Sequence, residues 1–183
     1  MSIRTPRLDL VPGDLDSLGA AWAGHRELAE QLQVALPAGW PPDEFDRDAL
    51  AWVRDHVLAG EDPAWWVQWI ILREPTPTLV GIAGYKGAPT PEGTVEIGYS
   101  VVAEYRRRGI AAEAAAGLVA RAFTHPAVER VLAETLHDHR ASIGVLTKNG
   151  FQPAGEGSER GLSLFERRRT GADLAASDRE DRS

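Results

Sequence analysis

The stretch 95–136 constrains this chain most. It reads as a β-rich run, Val95-Glu96-Ile97-Gly98-Tyr99-Ser100-Val101-Val102, then an arginine turn, then an alanine- and leucine-rich run at helical spacing from Ile110 to Phe123. A second β-rich run, Arg130-Val131-Leu132-Ala133-Glu134-Thr135-Leu136, closes it. Period-two and period-3.6 patterns make this a strand, a helix and a strand. A strand entered from a crossover helix lies parallel to its neighbour, so the sheet must contain a parallel pair. At the first junction, Arg106-Arg107-Arg108-Gly109-Ile110-Ala111 opens the helix. A helix start leaves N–H groups without intrahelical partners and adds about half a positive charge from the macrodipole. The turn is therefore fitted to an anion such as a pyrophosphate, with no metal required.

The flanking segments supply an antiparallel frame. Trp65, Val67, Trp69 and Ile71 alternate with Trp66, Gln68, Ile70 and Leu72, which predicts a strand from Trp65. Pro75-Thr76-Pro77 turns it into a strand over 79–86, and the loop 87–93 leads to the Val95 strand, giving a three-stranded meander. Upstream, 7–11 reads as a first strand and Asp14 as the N-cap of a helix. Helices fill the chain to Gly60, the clearest over 43–59, after a loop at 37–42. Downstream, 142–149 reads as a short helix, and 151–154 with 162–167 as a closing hairpin. The expectation is a mixed α/β (α+β) fold with a twisted, mostly antiparallel sheet flanked by helices. At 183 residues the chain suits one domain, 1–169, with 170–183 a flexible charged tail.

Composition removes several classes of function. The chain has no cysteine, which excludes disulfides, thiolate metal sites and a cysteine nucleophile. A formal charge of -7 argues against nonspecific binding to nucleic acid or anionic membranes, and leaves room for a cationic acceptor. The start lacks an apolar signal core and the longest apolar run, around Trp69 to Leu72, is too short to span a bilayer, so a soluble cytoplasmic protein is expected. Neither a P-loop nor a dinucleotide-binding fingerprint occurs.

Arg106-x-x-Gly109-x-Ala111 follows a Glu96-Ile97-Gly98-Tyr99 strand and precedes Ala141-Ser142 and Lys148-Asn149-Gly150-Phe151. In order and spacing these elements resemble the GNAT superfamily of N-acetyltransferases, and look most like the branch that acetylates N-termini of ribosomal proteins. The resemblance covers Arg7 to about Arg168. It implies acetyl-CoA as co-substrate, and a central parallel pair splayed by a bulge, so that pantetheine pairs with backbone groups near Val101. It makes Arg106, Arg107, Arg108, Gly109, Ile110, Ala111 and Ala112 the pyrophosphate site, with His139 and Lys148 beside the cofactor and Arg140 an alternative partner for its adenosine end. His139 stands where the family often carries asparagine, and Leu146 where many relatives carry the tyrosine that protonates the leaving thiolate.

For catalysis the resemblance puts forward Glu96 as general base, direct or through water, and Ser142 as hydrogen-bond donor to the thiolate. Each has a plainer reading: Glu96 as a strand carboxylate paired with Lys86, Ser142 as a helix N-cap. An α-amine, with pKa near ~8, needs less help than a lysine near ~10.4, so a weak base suffices. Glu113, in the first helical turn, offsets the helix dipole. His137 and His139 have the spacing of a metal pair but no third ligand, so no metal is expected.

All six tryptophans lie between Trp22 and Trp69. Trp22, Trp40 and Trp66 are the candidates for an acceptor pocket wall, with Trp52 and Trp69 read as core; an exposed pair would also suit a homodimer surface. The expected function is acetyl transfer to a primary amine, either a peptide or protein N-terminus or a small-molecule amine. A non-catalytic acyl-CoA-binding module is the rival from another class.

Overall fold

The computed structural model describes residues 2–43 and 45–173. Eight strands form one sheet in the order β1-β2-β3-β4-β5-β6-β8-β7. They are β1 (Ile3–Arg4), β2 (Leu8–Pro12), β3 (Val67–Leu72), β4 (Thr78–Tyr85), β5 (Thr94–Val101), β6 (Arg130–Leu136), β7 (Gln152–Glu156) and β8 (Leu162–Arg168). Only β5 and β6 run parallel, and the remaining neighbours are antiparallel. The expected meander is β3-β4-β5, and the closing hairpin enters with its second strand, β8, against β6.

Two helical layers cover the sheet. The crossover helix α4 (Ile110–Thr124) lies on the face made by Val95, Ile97 and Val101, where Ala114, Ala115, Leu118 and Ala122 allow close approach. Buried Tyr85 donates its hydroxyl to the Leu118 carbonyl at 2.6 Å, which fixes the helix against β4. On the opposite face, α1 (Leu15–Ala23), α2 (His25–Leu32) and α3 (Arg47–Leu58) pack with Val67, Trp69, Ile71 and Leu79. The last helix, α5 (Arg140–Lys148), follows β6.

Local chemistry moved several boundaries. Asp14 caps α1 as expected, accepting from Ser17 N–H at 2.9 Å. The start of α3 falls at Arg47 rather than residue 43, because Asp46 is the cap, accepting from Ala49 N–H at 2.9 Å. Trp65 ends a 3-10 turn, Pro63–Trp65, opened by Asp62, which accepts from Ala64 N–H; the strand therefore begins at Val67. The α5 helix starts at Arg140, so Ser142 lies within its first turn and is not the N-cap, a place held by His139. Within the expected tail, Asp173 binds Arg167 at 2.8 Å and accepts from Thr170 N–H at 2.8 Å, so the chain is held to that point; 174–183 lie outside the described residues. Among the described residues no helix is long and apolar enough to cross a membrane.

Candidate functional site

The turn between β5 and α4 is a row of unused donors. Gly109 is the N-cap of α4 in the left-handed region at φ +78°, Arg107 also has positive φ at +60°, and no side chain caps the helix. The first inward hydrogen bond of the turn runs from Glu113 N–H to Gly109 O. Among the described residues, the N–H groups of Arg107, Arg108, Gly109, Ile110, Ala111 and Ala112 donate to nothing. Six amides at the positive end of a fifteen-residue helix fit a pyrophosphate, which needs several donors and little side-chain volume.

The three arginines of the turn do different things. Arg106 folds back along the surface, donating from Nε to Val101 O at 2.8 Å and pairing with Asp43 at 2.5 Å. Arg108 lays its guanidinium over the Tyr105 ring, 4.9 Å from its centroid. Arg107 is exposed. Arg106 thus staples strand to turn. Ser100 Oγ donates to Asp43 O at 2.8 Å and Glu104 accepts from Gly39 N–H at 3.1 Å, so loop 39–43 is fastened to the same junction.

The cradle opens onto an unpaired strand edge. Pairing of β5 with β6 ends at Ile97 and Ala133, while β5 stays with β4 as far as Val101 and β6 stays with β8 as far as Leu136. The β4-β5 register runs without a bulge, so the parting comes from divergence of the strands rather than from an extra residue. Lys86 N–H donates to Glu96 O and Val102 N–H to Val80 O, so even positions direct their backbone groups to β4. By alternation Tyr99 and Val101 direct theirs into the gap left by β6. Arg106 takes the Val101 carbonyl, which leaves the Val101 N–H and both Tyr99 backbone groups on the open edge.

On the far side of this gap stands Ser142, half-buried on α5. The Tyr99 hydroxyl lies 3.0 Å from Ser142 Oγ and 3.3 Å from Ser142 O. Burial pushes the Tyr99 phenol up, and the Ser142 hydrogen bond only partly opposes this, so the hydroxyl keeps its proton at neutral pH. Tyr99 was legible only as a strand residue, although the lack of a hydroxyl at Leu146 is the signal that another donor was needed. Asn149 was also passed over as a connector. Its Nδ2 donates to Ala112 O at 3.1 Å and Val145 O at 2.9 Å, which joins the end of α5 to the first turn of α4. Exposed Lys148, at the end of α5, borders a depression with Gln152, Glu166 and Arg168, whereas His139 is exposed at the start of α5. His137 is occupied elsewhere, 2.6 Å from Ser163 Oγ.

Glu96 shares its strand face with Gly98 and Ser100, on the side of α1 to α3, and exposed Gly98 has open space where a side chain would stand. Its carboxylate, 26% exposed, forms an ion pair with Lys86. Of the two sequence readings of Glu96, the pairing with Lys86 is present.

The tryptophans divide differently from expectation. Trp66 is 2% exposed, stacked on His56 at 4.2 Å between centroids, and Trp40 is buried against Trp69. Both are core, so neither presents a ring to an acceptor. Trp52, expected in the core, is 47% exposed with its edge on Trp66. Trp22 is exposed but lies between Arg47 and Arg54, 4.4 and 5.0 Å from its ring. Trp69 is fully buried, as expected.

Glu113 ties the cradle to the N-terminal strands. It accepts from Thr5 Oγ1 at 2.6 Å, Arg7 N–H at 2.7 Å and Arg7 Nε at 2.7 Å. Burial raises the carboxyl, but these bonds outweigh it and hold the group below its ordinary value. A depressed folded-state pKa adds stability that is complete above the unfolded value of 4.5 and is lost as pH falls through the lower folded value. In urea unfolding, the stability difference between wild type and Glu113→Gln should therefore shrink as pH falls below that value. A difference independent of pH would mean that the charged carboxylate is not what these bonds stabilise.

Comparison with known proteins identifies the family. A family model described as Acetyltransferase (GNAT) domain matches residues 4–152. The uncharacterized N-acetyltransferase YjdG of Bacillus subtilis (strain 168) is 30% identical over 149 residues, 81% of this chain and 88% of that protein. Among solved structures, ribosomal-protein-S5-alanine acetyltransferase from Vibrio fischeri superposes with a TM-score of 0.63, covering 93% of this chain and 98% of that one at 16% identity. RimL, a ribosomal L7/L12 alpha-N-protein acetyltransferase in complex with coenzyme A, does so with a TM-score of 0.62, covering 92% and 98% at 18% identity. These structures show the fold, while the family match spans the segment that builds the cradle and the parted strands. On that match the chain belongs to the GNAT acetyltransferases and is an acetyl-CoA-dependent N-acetyltransferase.

Proposed function

We propose that the enzyme acetylates the α-amine of a peptide or protein N-terminus by direct attack in a ternary complex. The observation that carries acyl transfer is the continuity of the six free amides with the open edge of β5, which offers one anchor for a pyrophosphate and another for an extended arm. Acetyl-CoA, when bound, supplies an activated thioester. The amides from Arg107 to Ala112 hold its phosphates, with Arg107 and Lys148 at the outer face, and His139 borders the cofactor. The Val101 N–H faces the gap as a donor to the thioester carbonyl. Ser142, held by the Tyr99 hydroxyl, is the proton donor on the thiolate side. On the opposite face Glu96 receives the proton of the amine, and the open space at Gly98 admits a chain end.

The acceptor class is supported by ribosomal-protein acetyltransferases among the structural neighbours. A panel of peptides with free N-termini and a panel of small amines, read by thiol release, test it. Acetylation of peptide α-amines is the expected result, and turnover of small amines alone would overturn it. Glu96→Gln should lower kcat by about 100-fold. An unchanged kcat would reduce Glu96 to the partner of Lys86.

A further inference from the structure

Arg106 occupies the position from which an arginine is expected to serve the cradle, and two of its guanidinium nitrogens are engaged by Val101 and Asp43. The space at the cradle's mouth is taken by another arginine, from the other end of the sequence. Arg7 lies just before β2, and its side chain crosses to the first turn of α4. Nε donates to Glu113 Oε2 at 2.7 Å and Nη1 donates to the Arg108 carbonyl at 3.0 Å. Its Nη2 donates to nothing among the described residues, and lies 3.4 Å from where a Cβ on Gly109 would stand. The guanidinium is half exposed, so this free edge meets solvent directly over the cap residue.

We infer that Arg7 is a further arginine of the pyrophosphate cradle: it holds the turn open through Arg108 and presents its free Nη2 edge to the phosphate. The inference rests on the reading of residues 106–111 as the pyrophosphate site. Three consequences of the geometry support it. The bond to the Arg108 carbonyl turns that oxygen away from the amide row, between two residues with positive φ, Arg107 and Gly109. Glu113, in the helix's first turn, would otherwise set a negative charge beside an anion; Arg7 neutralises it, and Thr5 with the Arg7 backbone satisfies the rest of the carboxylate. An arginine fixed at two of its nitrogens also loses little further freedom when the third meets a phosphate oxygen.

The test compares coenzyme A, titrated by calorimetry, with pantetheine, which lacks the pyrophosphate, titrated by NMR. Arg7→Ala should weaken coenzyme A by about 10- to 100-fold, the range of a lost hydrogen bond to a charged group, and leave pantetheine unchanged. Arg7→Lys keeps the charge and guards against a folding defect. It cannot serve Glu113, Arg108 and a phosphate together, so a smaller loss confined to coenzyme A is expected. Unchanged coenzyme A affinity in both variants would overturn the assignment. So would equal weakening of both ligands, which marks a merely structural role. Failure of the wild-type protein to bind coenzyme A would instead overturn the reading of the cradle itself.

Discussion

Gly109→Val should abolish most coenzyme A binding, lowering affinity by about 100-fold or more, while the protein still folds. Gly109 stands at φ +78°, where a β-branched residue is a steric outlier, and relaxation toward negative φ would turn the amides of 108–111 off their common centre. Holding the glycine-like backbone would cost the variant about 1–2 kcal/mol, and at roughly 2–4 °C per kcal/mol for a chain this size the melting temperature falls only modestly. The larger effect is on the ligand, because several charge-assisted hydrogen bonds depend on one dihedral angle. The added side chain also enters the space next to the Arg7 guanidinium, 3.4 Å from a first Cβ. Gly109→Ala should lie between valine and wild type. Calorimetric titration checks this: coenzyme A affinity within threefold of wild type in the valine variant would show that the turn is not the anchor.

Trp69→Ala is the substitution expected to cost most in stability, about 3–5 kcal/mol. Trp69 is fully buried at the centre of β3, edge-on to Phe45 at 5.7 Å and tilted against Trp40 at 6.5 Å. Its indole N–H donates to Ser17 Oγ at 3.0 Å, which locks α1 to the sheet. The serine hydroxyl keeps its own bond to Asp14 O at 3.2 Å, so the loss is mainly the cavity rather than an orphaned polar group. Trp52→Ala, on the outer stripe of α3, should cost about 1 kcal/mol or less. Urea unfolding of the two variants decides the matter, and equal costs would mean that α1 to α3 are not anchored through Trp69. Because that layer covers the face carrying Glu96 and Gly98, Trp69→Ala should also raise KM for the acceptor before it affects coenzyme A.

Several elements of this site were readable without coordinates because they rest on short-range patterns. Alternation over 67–72 and 94–101, helical spacing over 110–124 and a glycine at the junction all express backbone preferences that neighbours in sequence settle among themselves. The parallel pairing of β5 and β6 follows from the connecting helix and the handedness of crossovers. Lys86 as partner of Glu96 could be anticipated because a short hairpin joins their strands. Where local chemistry competed, the pattern misled. The Asp62-Pro63 turn took Trp65 out of its strand, and Asp46 rather than Asp43 capped α3.

The sequence by itself determined the strand–turn–helix cradle, the parallel crossover and hence the family, since each is a property of contiguous residues. Only the tertiary structure decided which side chains serve the cradle and the gap. Arg7 and Glu113 stand 106 positions apart and Tyr99 and Ser142 stand 43 apart, and each pair meets only because the order of strands brings its elements together. The same holds for the tryptophans, whose exposure depends on which helix covers which face: Trp66 disappears under His56 and Trp52 while Trp52 itself remains outside. Periodicity assigns a residue to a face of its own element, but what lies opposite that face is a property of the packed chain.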